Sequence, residues 1–102
     1  MEPSTKIVEI APAQSKAARA LLDLTQGDLA TRAALGLSTV VDFERERRTV
    51  STEAVAAIRT ALETAGVIFV EENGEGAGVR LKKQRRGNGS IAPDDLNGSN
   101  DE

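Results

Sequence analysis

From residue 14 to residue 65 the chain runs without proline, and apolar residues return every three or four positions, broken by residues suited to helix starts and stops. That period predicts four amphipathic helices around a shared core. The first spans about Gln14 to Asp23, with Ala18, Leu21 and Leu22 turned inward. The second opens at Thr25, whose hydroxyl can accept the Asp28 amide hydrogen while the Asp28 carboxylate reaches back, as in a capping box. It is short and ends near Ala34. Leu35 and Gly36 form a turn, and Gly36 serves as N-cap of a third helix that continues to about Arg45. The fourth starts after Ser51, carries Val55, Ile58 and Leu62 on one stripe, and stops at Gly66, a residue suited to the left-handed position past a helix end.

Beyond Gly66 the pattern changes. Val67-Ile68-Phe69-Val70 and Val79-Arg80-Leu81-Lys82 flank Asn73-Gly74-Glu75-Gly76-Ala77-Gly78, so β-branched and aromatic residues meet a glycine-rich turn, as in a hairpin. The first segment is apolar on both faces and needs two covers. A lone hairpin is marginal in water, so it is expected to pack on the helices, on residues 6 to 10, or on a second subunit. Val67, Ile68, Phe69 and Val70 are accordingly candidates for a dimer interface. The resulting layout is an N-terminal arm or short strand over 1–12, a helical domain over 13–66, a hairpin over 67–83, and a tail over 84–102. The tail is rich in Gly, Asn, Ser and Asp and is expected to be disordered.

Composition narrows the chemistry. The 102 residues include no cysteine and no histidine, which excludes disulfides, thiolate metal sites, most zinc sites and imidazole-dependent triads. No Asp/Glu spacing argues for a carboxylate pair or a metal site, so no enzyme activity, cofactor or small-molecule ligand is expected. The glycine-rich stretch 74–78 lacks a following helix to complete a phosphate loop. No apolar run approaches the roughly 20 residues of a membrane helix, and Lys6 to Ile10 is too short and too charged for a secretory signal. A cytoplasmic domain without a membrane partner is expected. The net charge of -3 is unevenly spread: 0 over residues 13–66, -3 over 67–79, +5 over 80–86 and -4 over 87–102. The acidity sits outside the helical segment, so it does not exclude an anionic partner.

On a helical wheel the third helix separates into two faces. Thr39, Val40, Phe43 and Glu44 turn toward the second helix through Leu29, Ala30 and Ala33. Leu37, Ser38, Val41, Asp42 and Arg45 turn outward. Together with Arg19, Leu24-Thr25-Gln26, Leu29-Ala30, Ala33, Ser38-Thr39-Val40, Phe43-Glu44 and Arg48, this register resembles the lambda-repressor-like, or Cro-type, helix-turn-helix family of bacterial and phage regulators. The resemblance covers about residues 14 to 65, half the chain.

The resemblance implies a mainly α fold with a bundle of four or five helices, a homodimer, and a pseudo-palindromic DNA operator read by the third helix in the major groove. Carried over by position, it implies base contacts from Leu37, Ser38, Val41 and Asp42, and backbone contacts from Thr25, Gln26, Thr39, Arg45, Arg47 and Arg48. Arg19 and Glu44 match a pair that forms an internal salt bridge in the family. Three positions depart from its pattern. Ala34 stands where glycine is common, so the turn is expected to lean on Gly36. Glu46 replaces a frequent glycine after the third helix. The outward face carries aliphatics and a carboxylate where amides or arginines are common: Leu37 and Val41 could read only thymine methyls, and Asp42 could accept from cytosine N4.

Each feature also has a plainer reading. Asp42 would otherwise be a solvated carboxylate that repels phosphate, Ser38 a helix-start residue, and Arg45, Arg47 and Arg48 a solvated helix end. The basic run Arg80, Lys82, Lys83, Arg85 and Arg86 suits either an arm along phosphates or a solubilising tail. Two functions follow: a sequence-specific DNA-binding regulator, acting as a small dimeric repressor, or a protein-interaction module that docks a partner protein through Leu37, Val41 and Asp42.

Overall fold

The computed structural model describes residues 9–83, and the expected tail, Arg85 and Arg86, and the first eight residues lie outside them. Among the described residues four helices precede a two-stranded antiparallel hairpin: α1 (Pro12–Leu22), α2 (Gln26–Ala33), α3 (Leu37–Arg45), α4 (Thr52–Ala65), β1 (Val67–Val70) and β2 (Gly78–Leu81).

Helix α1 begins two residues before the expected Gln14. Pro12 is the first helical residue, where its missing N–H costs nothing, and Ala11 is the cap. Gln14 supplies what alanine cannot: its Oε1 accepts the Ala11 amide at 2.7 Å. Of the three residues expected to face inward, Ala18 is buried and Leu22 packs at the core edge, but Leu21 is 44% exposed. The inward stripe is instead Gln14, Ser15 and Ala18, so two polar side chains occupy positions that hydropathy assigns to leucine.

Helix α2 has the expected capping box, with Thr25 Oγ1 accepting from the Asp28 amide and Asp28 Oδ2 accepting from the Thr25 amide, each at 2.9 Å. The Thr25 amide, and then the Thr25 hydroxyl, hold the Asp28 carboxyl below the usual carboxylate range. Helix α3 starts from Gly36 with no side-chain cap, and α4 from Ser51, whose hydroxyl accepts from Ala54. With Val40, Val41 and Thr39 in its centre, α3 is a weak helix by propensity and is held by tertiary packing. Val40 and Phe43 from its inner face join Leu29, Ala30, Val55, Ile58 and Leu62 in the core. α2 packs on both α3 and α4, and α1 packs on α3, α4 and the hairpin.

The turn between α2 and α3 departs from the expectation placed on Gly36. Ala34 itself takes the left-handed conformation at φ 58°, while Gly36 sits at an ordinary φ of -70°. The Leu35 amide then donates to the Ala30 carbonyl at 2.9 Å, closing a Schellman-type end. Glu46 does the same after α3 at φ 57°. A side chain in that region costs about 1–2 kcal/mol, partly offset by the greater unfolded-state entropy of glycine. Ala34→Gly and Glu46→Gly are therefore each expected to raise the unfolding free energy by about 0.5–1 kcal/mol, read as a higher urea midpoint with an unchanged m value.

Strand register pairs Val67 with Leu81, Ile68 with Arg80, Phe69 with Val79 and Val70 with Gly78, so β2 begins one residue before the expected Val79. Val67 and Phe69 point into the molecule's own core, at 2% and 8% exposure, while Ile68 is 40% exposed. The helices thus provide the first of the two expected covers. Of the four residues expected at a dimer interface, only Ile68 and part of Val70 have surface left to offer. Gln14 Nε2 donates to the Val70 and Gly78 carbonyls at 3.3 and 2.9 Å, tying the start of α1 to the far end of the hairpin.

Candidate functional site

A buried polar cluster sets the position of α3. The Glu44 carboxylate, whose side chain has no exposed surface, receives Arg19 Nε at 2.9 Å and Nη2 at 2.8 Å, Ser15 Oγ at 2.6 Å and Gln26 Nε2 at 3.0 Å. Arg19 Nη1 also donates to the Leu24 carbonyl at 3.2 Å. One carboxylate therefore joins α1, α2 and α3, with a side-on, two-nitrogen guanidinium contact that fixes direction as well as distance. Burial pushes the Glu44 carboxyl up, but the bonds from Arg19, Ser15 and Gln26 and the arginine charge outweigh it and hold the group below its ordinary value. The expected Arg19–Glu44 pair is present. Ser15 is an unanticipated member, because a serine mid-helix carries no sequence signal for a partner 29 positions away.

The same cluster engages Gln26, a residue expected on phosphate. One of its two amide hydrogens goes to Glu44, which leaves the other as a donor. Thr25 is engaged in the cap, its hydroxyl oxygen accepting from the Asp28 amide beside the Asp28 carboxylate.

Along the outer side of α3, Leu37 is 53% exposed, Ser38 is exposed, and Thr39, Val41 and Asp42 are half-buried. Arg45, Arg47 and Arg48 are all exposed at the helix end. Because Glu46 turns the chain left-handed, Arg47 and Arg48 fold back along the helix rather than continuing its axis. The Arg47 amide donates to the Asp42 carbonyl at 2.9 Å, and Arg48 Nε reaches Asp42 Oδ2 at 2.8 Å. Arg47 Nη1 stands 4.0 Å from Asp42 Oδ1. The geometry brings together three residues that the sequence placed separately as one base reader and two backbone contacts.

Away from this face, Arg59 lies over the Phe69 ring at 5.6 Å and pairs with Glu63 at 3.1 Å, bracing α4 against β1. Among the described residues no group of three His, Cys, Asp or Glu side chains is arranged to hold a metal ion, and no helix is long and apolar enough to cross a membrane. No protein-family model matches the chain, and no curated protein matches it.

Proposed function

We propose that the chain is a sequence-specific DNA-binding regulator of the helix-turn-helix, lambda-repressor-like type, in which α2 supports α3 and α3 enters the major groove. The observation that carries this reading is an outer helix face, exposed at Leu37 and Ser38 and half-buried at Val41, flanked by Arg45, Arg47 and Arg48 on a helix locked by Glu44 to α1 and α2. Recognition by a helix needs a projecting face, a cationic margin for phosphates and a rigid mount, and all three coincide here. Thr25, Gln26 and Thr39 supply further backbone contacts, with anion binding favoured at the α2 N-terminus. Leu37 and Val41 contact thymine methyls, Ser38 is a tolerant polar reader, and the remainder of sequence choice comes from DNA shape.

The working form is a homodimeric repressor in the cytoplasm, associated with the nucleoid, on a pseudo-palindromic operator with the two α3 helices about 34 Å apart. Half-exposed Ile68 on the hairpin is the natural contact for the second copy. Leu37, at 53% exposure, also favours a competing reading in which the α3 face docks a partner protein instead.

Selection of bound fragments from a random duplex pool by the purified protein separates the two readings. The DNA reading expects an enriched motif with two related half-sites and binding that weakens as salt rises. No enrichment at low salt would overturn it in favour of a protein partner.

A further inference from the structure

Asp42 faces the side of α3 that the DNA-binding reading puts against the duplex, yet its carboxylate is already paired with the Arg48 guanidinium, while Arg47 stands off at 4.0 Å. The pairing spans the helix end: Asp42 lies in the last turn of α3, and the left-handed Glu46 returns the chain so that Arg48 Nε meets Oδ2 at 2.8 Å. Only 20% of the Asp42 side chain is exposed, against 53% for Arg48 and 56% for Arg47. The carboxylate is thus seated, and the arginines lie over it.

Resting on the DNA-binding reading, we propose that Asp42 is a positioning residue that folds Arg48 against α3 and so suppresses binding to non-specific DNA. A guanidinium paired with a carboxylate carries little net charge toward a phosphate. It releases few counterions when DNA arrives, so it adds little to sequence-independent affinity. Specificity is a difference between affinities, and weakening the non-specific term raises that difference as effectively as a new base contact. An α3 face with few polar readers gains the most from such a device.

The test uses Asp42→Asn in the full chain and follows binding to a duplex of unrelated sequence between 50 and 300 mM salt, concentrations chosen as about the range in which phosphate contacts dominate. Freeing one guanidinium is expected to steepen the slope of log K against log salt by about 0.9 and to raise affinity about eightfold at 0.1 M salt. In an Arg48→Ala background the same Asp42→Asn change is expected to leave the slope unmoved. An equal gain in that background would reduce Asp42 to bulk charge and overturn the proposal, as would no gain in the otherwise intact chain. A second measurement needs no DNA: the Arg48 Nε–Hε resonance is expected to shift when Asp42 becomes Asn. An unmoved resonance refutes the pairing itself. A shifted resonance with no DNA binding by either protein refutes the DNA reading and the proposed role together, while the pair stands.

Discussion

Arg19→Ala is expected to destabilise the protein by about 3–5 kcal/mol, the usual loss when one partner of a buried ion pair is removed. That is comparable with the whole stability of a domain this size, so a large unfolded fraction at 37 °C is expected in calorimetry or circular dichroism. The reason is asymmetry. The Glu44 side chain has no surface and cannot turn to water, whereas Arg19 keeps 19% of its surface. Ser15 and Gln26 would still donate to Glu44, but neither brings a positive charge. The converse change, Glu44→Gln, is expected to cost less, about 1–3 kcal/mol, because the stranded arginine has access to solvent and the amide can keep part of the hydrogen bonding. Equal losses in the two variants would contradict this account of the cluster.

The same cluster sets a pH dependence with a definite sign. The folded-state pKa of Glu44 lies below its ordinary value of 4.5, so the unfolded chain takes up a proton first as pH falls. The stabilisation is complete at neutral pH, starts to fade as pH drops past the ordinary value, and is gone once pH falls through the folded value. Urea midpoints measured from pH 7 downward are expected to fall in that window, and to fall less steeply in Glu44→Gln. An identical acid profile for the variant would place the titration elsewhere.

Local chemistry made much of this fold legible in the sequence. Thr25 and Asp28 are three residues apart, so their reciprocal cap needs no tertiary information, and Val55, Ile58 and Leu62 share one face by helical period alone. What escaped is of two kinds. Gln14 and Ser15 are buried because their partners, the Val70 and Gly78 carbonyls and Glu44, come from distant parts of the chain, and hydropathy cannot register a partner it does not contain. Leu21 reads as inward for the complementary reason: a leucine beside Ala18 and Leu22 matches the period, but the polar stripe shifts the packed face around the helix. The left-handed Ala34 and Glu46 are not legible in the sequence, because intrinsic preference assigns that conformation to glycine, while here the adjoining helices impose it. Since Glu46 determines where Arg47 and Arg48 go, one unrecognised backbone angle also hid the pairing of Asp42.

Arg45→Ala combined with Arg47→Ala is expected to reduce non-specific DNA affinity about sixtyfold at 0.1 M salt and to flatten the salt slope by about 1.8, the loss of two phosphate contacts. Both residues are exposed, so the thermal midpoint is expected to move little, and lost binding cannot be assigned to unfolding. Arg48→Ala provides the sharp contrast. Its guanidinium is already paired with Asp42 at 2.8 Å, so its removal is expected to change the non-specific slope by much less than 0.9. Three arginines of the same type within four residues are thus expected to divide into two that hold phosphate and one held in reserve. A uniform loss of about 0.9 per arginine would mean that all three reach phosphate and that the Asp42 pair opens freely on DNA. The division follows from the direction of the chain after Glu46, which makes the end of α3, rather than its sequence of charges, the determinant of how tightly this face grips a duplex.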